Sequence, residues 1–576
     1  MKQKNTIMEF SSVSYSYPGR DEAAVNKISF SLKEGSRVLI FGSNGSGKST
    51  LTRLMTGLLR PDEGSVQTAG LDSSLRENLR AIRSGAGLLF QNPSSQIVAT
   101  VVREDTAFGP ENLALSSSEI RQRVEKALKR SGMYALRRRA SHDLSAGQQQ
   151  RLALAGVLAL GSGCLILDEA ASMLNPLARK DMDILLDQLH GQGYTIIQVS
   201  HFMTNIAKAD KILILQAGKL VFEGGTEDFL VRESSLSDWA LDLPDIQKLS
   251  GELKGLFPEL RKTLDEKQLS SDLKPIFAGL RQDPPIAVGE TAPPAGPPLL
   301  SLHHVNYQYK AQSRHPVTGL IDLDFDFYRD ETVVLMGSTG SGKSTFLQML
   351  NLLLLPSSGR ISLLGENPLD KKCDLARLRS RMGLVMQQPE KQLFASLVGD
   401  DVAFGPRQAG LQGQALSRRV KDALDLMELS YSKFRDRSIR ALSGGQKRKV
   451  ALAGILAMKP EILLLDEPSA GLDPRSAANL ERLLLSLRDE GIQLILSTHD
   501  VEQALRFDPR LLVMWEGRKV FDGMPEQFFR EMDPEQYGLE YPLVLRLWQE
   551  GNSQWRESFP LGKDQLKSRL LLGRAV

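Results

Sequence analysis

The chain has 576 residues, 41% of them hydrophobic and 24% charged, a composition that excludes wholesale disorder and provides for several domains. Lys and Arg number 72 against 69 Asp and Glu, a formal charge of +3, too even for a protein whose task is to coat nucleic acid. Mean hydropathy is −0.21 and no apolar run reaches about 18 residues, so no membrane span is expected. The two cysteines, Cys164 and Cys373, cannot by themselves make a four-thiolate zinc site or an iron–sulfur cluster; they suggest a reducing cytosol. The opening Met1-Lys2-Gln3-Lys4-Asn5-Thr6 leads into no apolar signal core, so no secretion is expected.

In chain order, the first expected element with chemistry in it is the apolar strand Arg37–Phe41, which runs into Gly42-Ser43-Asn44-Gly45-Ser46-Gly47-Lys48-Ser49-Thr50. A glycine loop between a strand and an apolar helix lets backbone N–H groups curl around phosphate oxygens, and the helix N-terminus adds positive charge. Lys48 is expected to reach the β- and γ-phosphates, and Ser49 to ligate Mg²⁺. Residues 144–148 read LSAGQ, in which Ser145, Ala146, Gly147 and Gln148 open a helix and offer N–H groups and a hydroxyl to an anion. The strand Leu165-Ile166-Leu167 ends in Asp168-Glu169. Asp168 is expected to face the metal and Glu169 the attacking water. A further strand, Thr195–Val199, precedes Ser200-His201, and His201 is expected near the γ-phosphate.

The same series then recurs. Thr332–Met336 leads into Gly337-Ser338-Thr339-Gly340-Ser341-Gly342-Lys343-Ser344-Thr345, with Lys343 and Ser344 in the roles of Lys48 and Ser49. LSGGQ at 442–446 (Ser443, Gly444, Gly445, Gln446) answers LSAGQ, Asp466-Glu467 answers Asp168-Glu169, and His499 answers His201. The offset is 295 at the loop (337 against 42) and 298 at the other three (442 against 144, 466 against 168, 499 against 201). A near-constant offset across unrelated motifs means a duplicated domain, and a period this long is not a solenoid. Apolar strands alternating with helices predict an α/β fold with a buried, mostly parallel sheet in each copy and ligands at the strand carboxyl ends. The expected boundaries are 1–232 for the first domain, 233–281 for an extension of it, 282–298 for a Pro/Gly-rich linker, 299–530 for the second domain and 531–576 for its extension. The linker reads QDPPIAVGETAPPAGPP, and its 17 residues reach about 50 Å at most when extended.

Together, the phosphate loop, glutamine loop, LSGGQ signature, Asp-Glu strand end, SAGLD loop and switch histidine resemble the ATP-binding cassette (ABC) ATPases, twice over and across nearly the whole chain. The resemblance implies tandem P-loop NTPase domains, each with a helical signature subdomain, packed head to tail as an intrachain pseudo-dimer around two ATP molecules. It implies ATPase activity with ATP and Mg²⁺, with Glu169, His201, Glu467 and His499 catalytic. It also implies that Tyr17 and Tyr309 stack on adenine, although an aromatic near a strand is equally explained by core packing. Gln91 and Gln387 would complete the metal shell formed by Ser49 with Asp168 and by Ser344 with Asp466. The shared Q-x-P-x-x-Q-[IL] at 91–97 and 387–393, continuing to Ala-Phe-Gly-Pro at 107–110 and 403–406, looks like the ATPases of energy-coupling-factor importers. Those act at the cytoplasmic face of the cell membrane on a transmembrane scaffold subunit and a substrate-binding membrane subunit, with no nucleic acid. The alternatives are a soluble tandem ABC protein acting on ribosomes or nucleic acid, and a non-hydrolysing assembly factor, against which Glu169 and Glu467 speak.

The first copy departs from the pattern at Ala146 (Gly444 in the second), at Ala170-Ala171 (Pro468-Ser469), at Ser172-Met173-Leu174-Asn175 (Ala470-Gly471-Leu472-Asp473) and at Phe202 (Asp500). A methyl at Ala146 is expected to obstruct backbone approach to phosphate, and if the signature needs positive φ it costs roughly 1–2 kcal/mol. No lysine, metal ligand or catalytic glutamate is lost, so both sites are expected to bind ATP, and the one served by the first signature to be the slower.

Overall fold

The computed structural model describes residues 5–19, 22–172, 174–200, 203–232, 235, 236, 238, 239, 241, 243–278, 296–309, 317–551, 556 and 559–574. His201, Phe202 and Met173 lie outside these, as does nearly all of the expected linker. The chain divides into two compact units. The first runs to Glu266 and takes in Gly471–Ala477; the second comprises Lys267–Ala470 and the chain from Ala478 onward.

In the first unit, five fully apolar or near-apolar segments cannot leave either face in water, so they form the middle of one sheet. Its six strands run in the order Lys219–Gly224, Lys211–Gln216, Arg37–Phe41, Thr195–Val199, Cys164–Asp168, Ala86–Leu89, parallel except for the outermost hairpin. Every residue of Arg37–Phe41, Cys164–Asp168 and Thr195–Val199 is buried. A four-stranded antiparallel sheet, in which Thr6–Tyr15 pairs with Val25–Lys33 and Glu63–Thr68, packs its alternating apolar face on the helix Lys48–Met55. The helices Val102–Asn112, Ser117–Arg130 and the N-terminal half of Ala146–Leu160 bury a separate cluster that includes Val124, Leu128, Leu144 and Leu152.

The second unit repeats this plan. Its six-stranded sheet runs Met382–Val385, Ile462–Asp466, Gln493–Ser497, Thr332–Met336, Arg510–Trp515, Arg518–Gly523. The antiparallel sheet joins Val317–Phe327, Leu300–Tyr309 and Ser358–Leu363. The α/β expectation, with parallel strands ending at the motifs, is met in both halves. The parallel register sets Asp168 beside Val199 and Asp466 beside Ser497, which puts both carboxylates at the carboxyl edge of their sheets.

The extension differs from its expected boundary. The sequence reading places residues 233–281 with the first domain, yet the helix Glu266–Ala278 groups from Lys267 with the second unit. There the Phe277 ring meets Trp548 at 5.2 Å, and the Ser270 hydroxyl donates to Glu550 on the helix Leu543–Gly551. Burying a Phe against a Trp is worth more than continuity with the preceding chain.

Candidate functional site

Each phosphate loop depends on glycines in the left-handed region. Gly42 (φ +150°) and Gly337 (φ +136°) each bring a strand carbonyl so close that a Cβ would lie 2.3 Å from Leu215 O or 2.2 Å from Met514 O. At Gly45 and Gly340, with φ +83° and +84°, a Cβ would meet nothing within 4 Å, so the concave side stays open to a ligand. Lys48 Nζ donates to Gly42 O (2.8 Å) and Ser43 O (2.9 Å), and Lys343 Nζ to Gly337 O (2.7 Å) and Ser338 O (2.9 Å). Burial depresses the pKa of both lysines, against the pull of Glu169 and Asp168 in one half and of Glu467 and Asp466 in the other. The Ser46 and Ser341 hydroxyls are buried and make no hydrogen bond among the described residues, an orphaned polar group that an anionic ligand would satisfy.

At the strand ends, Ser49 Oγ donates to Asp168 Oδ1 at 3.0 Å, and Ser344 likewise bonds Asp466. Burial raises both aspartates, with these hydroxyls opposing it. A hydroxyl and a carboxylate thus meet at each strand end, and hydroxyl, carboxylate and amide oxygens are the hard ligands that suit Mg²⁺. Gln91 Nε2 donates to Glu169 Oε2 (3.1 Å) and Gln387 Nε2 to Glu467 Oε2 (3.0 Å), so each glutamine is tied to the expected water-orienting residue. Glu169 and Glu467 themselves hold φ +51° and +46°, a strained conformation for a non-glycine that the motif did not announce. Tyr17 and Tyr309 are half-buried. Their hydroxyls lie 3.3 Å from Thr50 Oγ1 and 2.9 Å from Thr345 Oγ1, which places both rings at the phosphate-loop helix.

His499 Nδ1 lies 3.5 Å from Glu467 Oε1. Burial alone would raise Glu467, but the hydrogen bond and charge of His499, with Lys343 and Gln387, hold it below the usual range for a glutamate. The expected counterpart His201 lies outside the described residues. Lys48 Nζ stands 3.7 Å from Glu169 Oε1 in that half.

Both signatures are capping boxes of the same dimensions: Ser145 and Ser443 accept from the N–H of Gln148 and Gln446 at 3.3 Å, and their own N–H groups donate to those glutamine side chains at 3.1 Å. Ala146 and Gly444 are the first helical residues, neither at positive φ, and a Cβ built on Gly444 meets nothing within 4 Å. The conformational cost considered for Ala146 is therefore not incurred. Asn175 still caps its helix, accepting from Ala178 N at 2.8 Å, so losing the charge of an aspartate leaves the cap in place.

Motif reading did not find the residues behind the second Asp-Glu pair. Ser497 Oγ donates to Asp466 Oδ1 (2.7 Å) and Glu467 N donates to Ser497 Oγ (3.0 Å). Gln503 Oε1 accepts from both Ser469 Oγ (2.9 Å) and Thr498 Oγ1 (3.0 Å). A signal was available in the pairing of the two copies, which sets Ser469 against Ala171 and Ser497 against Val199.

Two phosphate-cradling loops, each facing an acidic strand end, define a protein with two P-loop nucleotide sites. The family described as ABC transporter matches residues 25–172 and 320–470. A Bifidobacterium longum protein named as an ABC transporter ATP-binding protein is 35% identical over 524 residues, 87% of this chain; this chain spans 64% of that relative. A Bacillus subtilis protein named for HMP/thiamine import, the ATP-binding protein YkoD, is 29% identical over 540 residues, 92% of this chain and 94% of that one. Among solved structures, cbiO1 of Clostridium perfringens, titled as part of the ABC transporter complex cbiONQ, is 34% identical over 41% of this chain and 92% of its own, with a TM-score of 0.37. The chain belongs to the ABC transporter ATP-binding family: it is an ATP-binding ABC ATPase with two cassettes.

Proposed function

We propose that the chain is the energising subunit of an importer of energy-coupling-factor type, held at the cytoplasmic face of the membrane by a transmembrane scaffold subunit that works with a substrate-binding membrane subunit. The observation that carries this is apolar surface left open just after each glutamine loop. Phe394 is 64% exposed and packs edge-on against Phe404 (44% exposed) at 4.7 Å; Val98 and Phe108 are 60% and 49% exposed in the first half. Large apolar side chains kept in water at matching positions of both copies mark a binding surface. None of the helices among the described residues is long and apolar enough to cross a membrane. The import named for YkoD supports the same reading.

In each half, Lys48 or Lys343 and the loop N–H groups would hold the phosphates. Ser49, Asp168 and Gln91, or Ser344, Asp466 and Gln387, would hold Mg²⁺, which when bound with ATP neutralises charge on the β- and γ-phosphates. Glu467, kept ionised by His499, orients or accepts a proton from the attacking water, and His499 stabilises charge as it develops; Glu169 takes the same role in the first half, with His201 as its expected partner. The duplication within one chain, with a signature in each copy, supports two ATP molecules shared between the halves.

The test is co-expression with candidate membrane subunits and extraction in detergent. Membrane proteins should co-purify, and Phe394→Asp with Val98→Asp should release them while ATP hydrolysis by the isolated chain persists. Co-purification with ribosomes in their place would favour the soluble alternative.

A further inference from the structure

The two halves match at the phosphate loop and diverge behind the catalytic glutamate. In the second half, five polar side chains close a circuit. Glu467 is followed by Pro468 and Ser469; Ser469 Oγ donates to Gln503 Oε1 at 2.9 Å, and the same oxygen accepts from Thr498 Oγ1 at 3.0 Å. Thr498 adjoins His499, whose Nδ1 returns to Glu467 Oε1 at 3.5 Å. Asp500 fastens Gln503 from its other side: its carboxylate accepts from Gln503 N (3.0 Å), and its own N–H donates to Thr498 Oγ1 (3.0 Å). Gln503 is 9% exposed and Thr498 3%, so these bonds form out of water, where an acceptor with two donors is held firmly.

At the offset of 298, the first half has Ala171 for Ser469, Val199 for Ser497, Ser200 for Thr498, Phe202 for Asp500 and Asn205 for Gln503. Ala171 and Val199 bring no side-chain hydroxyl to the turn; the hydroxyl there comes from Ser172, which donates to the Glu169 carbonyl at 2.7 Å. Asn205 Nδ2 donates instead to Asp183 Oδ1 at 2.8 Å, on the helix Pro176–Gly191, so its amide serves a different partner from that of Gln503. Glu169 N donates to the Val199 carbonyl at 3.2 Å, where Glu467 N has both the Ser497 carbonyl and the Ser497 hydroxyl. Glu169 and Glu467 nonetheless share the same strained φ. A strained conformation persists only where its surroundings enforce it, and in the second half the Gln503 amide and the Ser497 hydroxyl add to that enforcement.

We propose that Gln503 is a positioning residue that locks the Glu467 turn to the His499 turn, and that the site carrying Glu467 is in consequence the faster of the two. This rests on the catalytic roles proposed for Glu467 and His499. It runs against the ranking drawn from the altered signature and D-loop (Ser172 to Asn175), of which the structure removes only the positive-φ condition at Ala146.

The experiment uses the full-length chain carrying Glu169→Gln, so that steady-state turnover reports the Glu467 site. Adding Glu467→Gln to this parent must remove the remaining turnover; if it does not, the glutamate assignment falls and the brace falls with it. Gln503→Leu keeps the volume but removes the acceptor. It should lower kcat about tenfold or more while KM for ATP stays within about twofold, because misplacement acts on the reacting geometry and not on phosphate binding. Gln503→Glu, which keeps the acceptor oxygen and replaces the amide nitrogen with a second one, should retain roughly half the parental kcat. Parental kcat in Gln503→Leu, or an equal loss in Gln503→Glu, would overturn the proposal. If Gln503→Leu does not fold, the Ser469→Ala/Thr498→Val pair removes the two donors at almost constant volume: a loss confined to kcat is expected, and parental kcat overturns the proposal in the same way.

Discussion

Lay the first half over the second and the glycines, lysines, capping boxes and strained glutamates coincide, while the interior polar groups change places. The second half spends its buried hydrogen bonds at the hydrolytic end, on Ser497, Thr498 and Gln503. The first half keeps one such bond there, Ser172 Oγ to the Glu169 carbonyl at 2.7 Å, and adds a buried charge at the far end of its own sheet. There Arg37, 2% exposed, opens the central strand and is ion-paired with Asp187, its Nη2 donating to Gln198 Oε1 at 3.1 Å. Lys208 joins the same carboxylate. The second half has Thr332, Leu485 and Leu496 at those places, with Leu496 fully buried. A duplicated fold thus tolerates charge in the core of one copy and hydrocarbon in the other, here with the guanidinium paired to a carboxylate although its Nε makes no hydrogen bond among the described residues. The lesson is that shared ligand-gripping motifs do not imply shared catalytic rigidity.

The largest expected effects test the half of the comparison that claims equality. Lys48→Ala and Lys343→Ala should each remove one of two bound nucleotide equivalents, because each lysine is the buried cation of its own loop. Equilibrium titration with a fluorescent ATP analogue measures this; a variant that still binds both equivalents at parental affinity would break the equality. Next in size is the buried charge unique to the first half. Asp187→Ala leaves Arg37 without its carboxylate and should destabilise that half by about 2–4 kcal/mol, below the full cost for a buried pair because Asp187 itself is partly exposed. Leu485→Ala at the matching place lacks any charge to strand and should cost less. Denaturant unfolding followed through each half would rank them, and an equal or reversed order would contradict the account. Smallest is Ala146→Gly. With the helix already begun at this residue and no positive φ required, restoring glycine should change ATPase activity by no more than about twofold. A large gain would mean that the methyl obstructs the ligand.

Much of this was legible in the chain. Arg37–Phe41, Thr332–Met336 and Thr195–Val199 are strands with the limits their apolar runs suggested, because a segment buried on both faces leaves little choice of state. Lys48 and Lys343 open the helices after their glycine loops, and Asp168 and Asp466 end buried strands, since glycine loops and strand ends fix side chains through the backbone. What was not legible depends on long-range pairing. Gln503 reads as one more polar helical residue until Ser469 and Thr498 are seen to share its oxygen. Arg37 reads only as the first residue of an apolar strand until Asp187 comes to meet it from a helix 150 residues on. The grouping of residues 267–278 with the second unit rests on the Phe277–Trp548 contact, which no local pattern announces. The positive-φ condition at Ala146 is not met, and the motif shows which residue changed but not the φ it must adopt.

The most direct test compares single glutamate changes in otherwise intact full-length protein. Steady-state ATP hydrolysis is measured for Glu169→Gln and for Glu467→Gln at saturating MgATP. The braced second half predicts the greater loss from Glu467→Gln, with Glu169→Gln retaining the larger residual rate. Equal losses, or a greater loss from Glu169→Gln, would contradict it.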